Sequence, residues 1–373
     1  MGYGALPMQT IREMIERKQI NGVPPEVIIS PASFDLTISQ EAYRLEEGFP
    51  PPRNEAVRET LRQIGHSPHD LAYPLERGVT YLIRLNQSLA LQNDVYGYCN
   101  PKSTSGRNFV RARVVADFVD RYDSAEPAGY QGGLWQILRP RAYPLKIEPG
   151  QSFSQIRFFN HNTRFSLNDL IRYFDHDRLF GNGNRSLSYE ELQNKDRDGT
   201  LNLRLDLGAK VAGWECLGVN RVLEFGQNQH YNPLEFFRPM RIDRDRVHLR
   251  KEGHYLFQTK EWVRVPPWLA LEMISMDRRF GDFISHEAGF IDPGWGWGKD
   301  GAGRGRPLVL EVITVNEDMP FYDGQIAARV WYERMVERPD QWYDQLATAS
   351  YAIDHTDRRP PQLARQFRMP ESV

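Results

Sequence analysis

No stretch of this chain approaches the roughly 18 consecutive apolar residues of a membrane-spanning helix, so no helical membrane span is expected. Net charge is nearly absent too: 47 Lys and Arg stand against 49 Asp and Glu, a formal -2. That balance gives no global reason for nucleic acid or an anionic membrane as the main partner. Cysteine is scarce. Cys99 and Cys216 can form neither a disulfide framework nor a four-cysteine zinc site. Residues Met1 to Gln9 lack a basic region followed by an apolar run, so no signal peptide is expected and the location read from the sequence is cytoplasmic.

What is present is 373 residues with 40% hydrophobic and 26% charged, enough to bury a large core without staples. The 29 Gly and 25 Pro are scattered, and long helical periodicity is rare. Ile11, Met14, Ile15 and Lys18 fall at helical spacing, with Gly22 and Pro24 as stop signals. A second helical stretch covers Leu167 to Phe174 and opens a polar region running to about Asp198. Elsewhere the apolar runs are short and cut by turn residues, as in Val27-Ile28-Ile29, Tyr81-Leu82-Ile83, Leu89-Ala90-Leu91, Leu308-Val309-Leu310 and Ala327 to Trp331. Such punctuation predicts a mainly β barrel or sandwich with a few short helices.

The chain also repeats itself. Arg107 is followed thirteen positions later by Asp120, within Ala116-Asp117-Phe118-Val119-Asp120. Arg279 is followed thirteen positions later by Asp292, within Ala288-Gly289-Phe290-Ile291-Asp292. Each Arg has a Ser four residues before it, Ser103 and Ser275, and each half carries a Gly-Gln pair, at Gly150 and Gly324. Ser33 to Ile38 corresponds more weakly to Leu201 to Leu205. The expected organisation is a β-rich unit over 1–160, a linker or insertion over 161–198, and a second β-rich unit over 199–373.

Several chemistries are set aside by spacing. The nine histidines show no metal-ligand pattern, and the Pro-Cys-x-x-Cys half of the zinc deaminase signature is missing. Asn194-x-Asp196-x-Asp198-Gly199 imitates a calcium loop, but its twelfth position is Leu205 where a bidentate Glu is needed. The glycine-rich run from Gly298 to Gly305 lacks phosphate-loop spacing and reads as a flexible hairpin tip. Three segments carry more. Pro101 to Arg107 gathers Lys102, Ser103, Thr104, Ser105 and Arg107 in one short turn, a donor set suited to phosphate oxygens or simply a solvated polar turn. Ile291-Asp292-Pro293-Gly294-Trp295 is a tight turn that presents Asp to a sugar hydroxyl and Trp to a flat surface, or else a hairpin with a core Trp. Leu308 to Ile313 is an apolar strand with one charge, Glu311, which is either buried and tuned for acid/base work or exposed at a sheet edge.

Taken together, Ser-x-x-x-Arg, Ala-x-x-Ile-Asp-Pro-Gly-Trp and Val-Leu-Glu resemble the 2'-deoxycytidine 5'-triphosphate (dCTP) deaminases, which share the trimeric deoxyuridine triphosphatase fold. The double length resembles the fused bacterial version. The resemblance implies two tandem deoxyuridine-triphosphatase-like β-barrel or jelly-roll repeats. It implies hydrolysis of dCTP to deoxyuridine triphosphate (dUTP) and ammonia, in the supply of thymidine nucleotide precursors. It also implies no protein-bound catalytic metal, with magnesium arriving on the triphosphate, dTTP as feedback inhibitor, and a homo-oligomer or a pseudo-symmetric monomer or dimer. A dUTP diphosphatase, a bifunctional enzyme, or a non-catalytic nucleotide-binding homo-oligomer are the rival readings.

By the same resemblance Glu311 is the general base and acid, while Ser103 with Arg107, or Ser275 with Arg279, orient water and base. Lys102 and Thr104 match phosphate contacts; Ile274 and Met276 stand at those positions in the second half. Ala288, Asp292 and Trp295 match substrate contacts, whereas the first half departs to Asp120-Arg121-Tyr122-Asp123. Aligned through Ala142-Tyr143-Pro144-Leu145, Gln136 takes the place of Glu311 in the first half. The family commonly has Arg two positions before the Asp, where both halves here carry Phe118 and Phe290. These complementary losses favour a composite site of Lys102, Ser103, Thr104 and Arg107 with Asp292, Trp295 and Glu311; a site of second halves alone is the alternative. Trp342-Tyr343 and Tyr351 are the candidates for a closing tail.

Overall fold

Short apolar runs punctuated by turn residues fold here as strands, in a computed structural model that describes residues 2–192, 196–347 and 362–368. Asn194 and Tyr351, both named above, lie outside the described residues. Two compact units divide the chain. One is Tyr3–Asn162 with Gly218–Asn228; the other is Thr163–Leu217 with Gln229–Val373 and Met1–Gly2.

The first unit is built on β1 (Ser33–Leu45), β2 (Thr80–Ala90), β3 (Tyr96–Pro101), β4 (Val110–Ala116), β5 (Ser124–Ala125), β6 (Gln131–Pro140) and β7 (Ser152–Phe159). They lie side by side in the order β5-β3-β7-β1-β2-β6-β4. The second unit uses β8 (Leu201–Asp206), β9 (His254–Thr259), β10 (Leu269–Ile274), β11 (Phe283–Ile284), β12 (Phe290–Ile291), β13 (Val309–Thr314) and β14 (Ile326–Arg334). Their order is β12-β10-β14-β8-β9-β13-β11, the same path strand for strand.

One strand in each unit turns the corner between two sheet faces. The first residues of β1, Phe34 to Thr37, pair with β7, and Ile38 to Leu45 pair with β2. In the second unit Leu201 to Arg204 pair with β14, while Leu205 and Asp206 pair with β9. A strand that bends from one sheet to the next closes a sandwich around its inward side chains. Phe34, Leu36 and Trp135 are fully buried in the first unit, as are Leu203, Leu310 and Tyr332 in the second. Each such burial contributes about 1.5–3 kcal/mol. The molecule is therefore mainly β, as its sequence predicts.

Four α-helices appear among the described residues: α1 (Met8–Glu16), α2 (Val57–Arg62), α3 (Ser103–Arg107) and α4 (Leu167–Asp177). None is long and apolar enough to cross a membrane. The spacing of Ile11 and Met14 does place them on the buried face of α1.

The helical stretch expected within the 161–198 linker or insertion is α4: Ser166 and Asp169 form a capping box on it, and its Leu170 and Phe174 are fully buried in the second unit's core. Two local expectations are corrected. Gly218–Asn228, read as part of the second repeat, packs into the first unit; Leu223–Glu224 pairs in parallel with Leu145–Lys146, and Phe225 stacks on Phe153 at 4.3 Å. The glycine-rich run is not a loose tip either. Arg264 donates to the carbonyls of Gly301 and Gly303 at 2.7 and 2.9 Å and lies 3.6 Å over the Trp297 ring. Burial pushes that guanidinium down to about 10, still cationic at neutral pH. The calcium-like Asp196 and Asp198 instead face Arg329 at 3.3 and 2.9 Å.

The buried pair Arg306–Asp344 fastens the end of the same glycine run, and Asp344 also accepts the Gly298 N–H at 2.7 Å. Asp344→Ala would strand a buried cation, which typically costs about 3–5 kcal/mol. A urea melt of the full chain is expected to show the second unit unfolding at lower denaturant by that margin. The Arg306→Met/Asp344→Leu double variant is expected to recover part of the loss.

Candidate active site

Glu311 lies on β13, flanked by β9 through Leu256 and, beyond the end of β11, by the residues after Ile284. It is 2% exposed, so the sheet-edge alternative does not apply. A carboxylate in such a place is costly unless its charge is met by donors. Two are supplied: Oε2 accepts the backbone N–H of Glu287 at 2.8 Å and of Ala288 at 3.0 Å. The Glu311 N–H in turn donates to the Ser285 carbonyl at 3.1 Å. Thus the segment from Ser285 to Ala288 wraps the carboxylate and brings the Ala288 N–H onto Glu311.

His286 belongs to this wrap and went unnoticed in the sequence. Burial drives its imidazole down to about 4, against the upward pull of Glu272, so it is neutral near pH 7. Downstream, Asp292-Pro293-Gly294-Trp295 is tied to its surroundings at both ends. The Val265 N–H bonds to the Trp295 carbonyl at 2.9 Å, and the Tyr343 N–H to the Pro293 carbonyl at 2.8 Å. Gly294 has a φ of 90°, and a Cβ there would lie 2.4 Å from the Trp342 Cβ, so the turn requires glycine. Trp295 is 7% exposed, 5.2 Å from Tyr343 and under the Arg306 guanidinium at 4.9 Å. Its ring packs into the core of the second unit. Trp342 is likewise packed, donating its indole N–H to the Gly298 carbonyl at 2.9 Å.

In the first unit, Lys102, Ser103, Thr104 and Arg107 come together on α3 and its N-terminal cap. The helix is one turn and a half, fixed from outside. The Lys102 N–H and Ser105 Oγ both donate to the Phe153 carbonyl at 2.9 Å. Asn108 Nδ2 donates to the Thr104 carbonyl at 2.8 Å, and the Tyr143 hydroxyl closes on Asn108 Oδ1 at 2.6 Å. Arg107 is 3% exposed. Lys102 Nζ pairs with Asp35, a partner that local sequence reasoning missed although Asp35 sits in the Ser33 to Ile38 string. The lysine therefore carries its own counter-charge.

The corresponding segment of the second unit is unlike it. Ser275 is exposed, and Arg279 lies in a 3₁₀ turn (Arg278–Phe280) with its side chain 75% exposed and paired to Asp277 at 2.7 Å. Gln136 occupies on β6 the register that Glu311 has on β13: opposite Ile83 of β2 as Glu311 is opposite Leu256 of β9. Its polarity is reversed. The Gln136 amide donates to the Arg113 carbonyl at 3.0 Å, where Glu311 accepts backbone N–H groups. Asp120 is exposed and paired with Arg121 at 3.4 Å. Among the described residues no group of three His, Cys, Asp or Glu is placed to hold a metal ion.

Comparison with known proteins adds to this geometry. Residues 2–162 match the 2'-deoxycytidine 5'-triphosphate deaminase N-terminal domain, and residues 181–357 match the C-terminal domain of the same family. No curated protein sequence matches the chain. Among solved structures, a 2'-deoxycytidine 5'-triphosphate deaminase from Agrobacterium tumefaciens is similar at 29% identity and a TM-score of 0.82, over 91% of this chain and 100% of that one. With both family domains matched in order and a full-length structural relative, the chain belongs to the dCTP deaminase family.

Proposed function

We propose that this protein hydrolyses dCTP to dUTP and ammonia, with Glu311 carrying the protons. The observation behind the role is a buried carboxylate fixed by the N–H groups of Glu287 and Ala288 in a chain of this family. As a carboxylate, Glu311 takes a proton from water while the water oxygen bonds to C4 of cytosine. That proton passes to N3, which has taken the electron pair of the C4–N3 double bond. Glu311 then takes the proton of the new C4 hydroxyl and delivers it to the exocyclic nitrogen; C4=O forms, the C4–N bond breaks, and ammonia leaves with its electron pair. Holding one carboxylate oxygen from the backbone fixes where that proton is received and released.

Ser103 and Arg107 are assigned to orienting the water and the developing charge, in preference to Ser275 and Arg279. The reason is preorganisation: α3 is anchored at four backbone or side-chain bonds, while Arg279 is solvated and bound to its neighbour. Thr104 and Lys102 are assigned to the phosphates, with Asp35 positioning the lysine. Asp292 stands in the turn beside the wrap and is assigned to the sugar. Magnesium enters with the triphosphate and belongs to the substrate.

The direct test is product analysis of the purified protein with dCTP and magnesium. Equimolar dUTP and ammonia are expected; deoxycytidine or its monophosphate in their place would reject the reaction. Glu311→Gln is expected to lower turnover about 10²–10⁴-fold while leaving dCTP binding nearly unchanged, because shape is kept and proton transfer is lost. Gln136→Glu is expected to add no turnover, since it would aim a carboxylate at the Arg113 carbonyl.

A second comparison separates the two Ser/Arg segments. Arg107→Ala is expected to reduce turnover by about 10²-fold or more, the scale of a lost preorganised donor. Arg279→Ala is expected to leave it within about threefold, as for an exposed ion pair. Finally, protein stripped with a strong chelator and resupplied with magnesium alone is expected to regain full turnover, read by ammonia release. Dependence on added zinc would reject the Glu311 mechanism.

A further inference from the structure

Strands β4 and β6 bring three guanidinium groups onto one face at the edge of the first unit's sheet. Arg111 lies directly opposite Arg139, and Arg113 opposite Ile137. Opposed residues on antiparallel strands point the same way, and like charges so placed destabilise the pair. Nothing in the fold demands it. The same register in the second unit, between β11 and β13, joins Phe283 to Thr314, which are uncharged. A repulsive pair kept in one copy of a shared framework calls for an anion.

The space in front of these side chains is a cavity of about 470 Å³, within the range of small-molecule sites. Its arginines differ in engagement. Arg113 is paired with Asp123 and lies 4.7 Å over the Tyr122 ring, and Arg139 Nε donates to the Gly78 carbonyl at 2.9 Å. The Arg111 side chain makes no hydrogen bond or ion pair among the described residues, and its charge acts on Asp123 without contact. Glu47 is the one carboxylate among the residues that line the cavity; counting also Asp123, which pairs with Arg113, three cations meet two anions. The remaining walls are apolar or aromatic: Phe49, Ile137 and Tyr122, whose hydroxyl is fixed to the Phe49 carbonyl at 2.7 Å.

We propose that this cavity binds a phosphate-bearing small molecule, its oxygens held by Arg111 and Arg139. Planar guanidinium forks match phosphate oxygens two bonds at a time, and binding removes the cross-strand repulsion at once. The aromatic and apolar wall suits a flat organic body attached to that phosphate, which makes a nucleoside phosphate the favoured form over the free anion. The site lies wholly within the first unit and uses none of the residues assigned to deamination.

Calorimetric titration of the full chain tests this, with sodium pyrophosphate in one arm and adenosine monophosphate in the other, for the wild type and Arg111→Gln. The wild type is expected to bind at least one probe, and the variant to bind it about tenfold more weakly or worse. Tighter binding of the nucleotide supports the esterified ligand, and tighter binding of pyrophosphate supports the phosphate site while rejecting the nucleotide preference. Thermal melts accompany the titrations. The Arg111 charge faces Arg139 across the ladder and also acts favourably on the buried Asp123, so free Arg111→Gln is expected to melt close to the wild type, and the probe should raise the wild-type melting temperature alone. Equal affinity in both proteins, no binding at millimolar probe, or an equal rise in melting temperature of both proteins with the probe would overturn the proposal. The readouts are heat and melting, so they answer even if the protein fails to deaminate dCTP.

Discussion

A carboxylate taken out of water must be answered by donors, and the second unit is arranged around that requirement. Glu311 is 2% exposed, and two consecutive backbone N–H groups answer it. For those two groups to point the same way, the chain after β11 must leave the ladder, so the short strand stops at Ile284 and pairing resumes only at Phe290 in β12. The interrupted segment needs support from elsewhere. Met273 of β10 provides part of it through its N–H to the Gly289 carbonyl at 2.7 Å. The turn that follows is locked by Val265 and Tyr343, and the glycine run beyond it by Arg264, Arg306 and Asp344. Much of the non-ladder hydrogen bonding in this unit thus serves to keep one short irregular segment still.

The first unit shows what the same framework does without that requirement. With Gln136 in place of the Glu, the amide donates to a carbonyl and β4 stays regular from Val110 to Ala116. Its fixed feature is α3 instead, a helix too short to be stable alone and held by Phe153, Asn108 and Tyr143. Each copy has spent its rigidity on a different element: the carboxylate wrap in one, the Ser/Arg helix in the other. In the second copy the segment matching α3 is a solvated turn, and in the first the segment matching the wrap ends in the exposed Phe118 and Asp120.

How much of this the sequence carried depends on the range of the interaction. The helix α1, the strands around Tyr81 to Ile83 and Ala327 to Trp331, and the burial problem posed by Glu311 are local patterns of period and polarity, and all were readable. The pairing of Lys102 with Asp35 spans 67 positions, and no local pattern signals it. Glycine-rich segments read as loose because their own residues offer no side-chain contacts; here the contacts come from Arg264 and Asp344, which are remote in sequence. Gly218–Asn228 misled for a similar reason. Its two strand residues pair with Leu145–Lys146, a parallel contact that order along the chain does not suggest.

Trp295 marks a further limit of motif reading. An aromatic next to a tight turn is chemically ambiguous, since stacking on a ligand and filling a core demand the same residue. Burial separates the two only in a folded chain, and here the ring is 7% exposed beneath a guanidinium. Its place there has a mechanical consequence. Trp295 joins the Asp292 turn to Tyr343 and, through Arg306, to Asp344, so the position of Asp292 is set by residues some fifty positions further along the chain. A substitution at Tyr343 or Asp344 would therefore move the Asp292 turn, whereas Glu311 is held by its own wrap. Glu311 and the Asp292 turn are thus positioned independently, one by backbone donors and the other by packed aromatics and a buried ion pair.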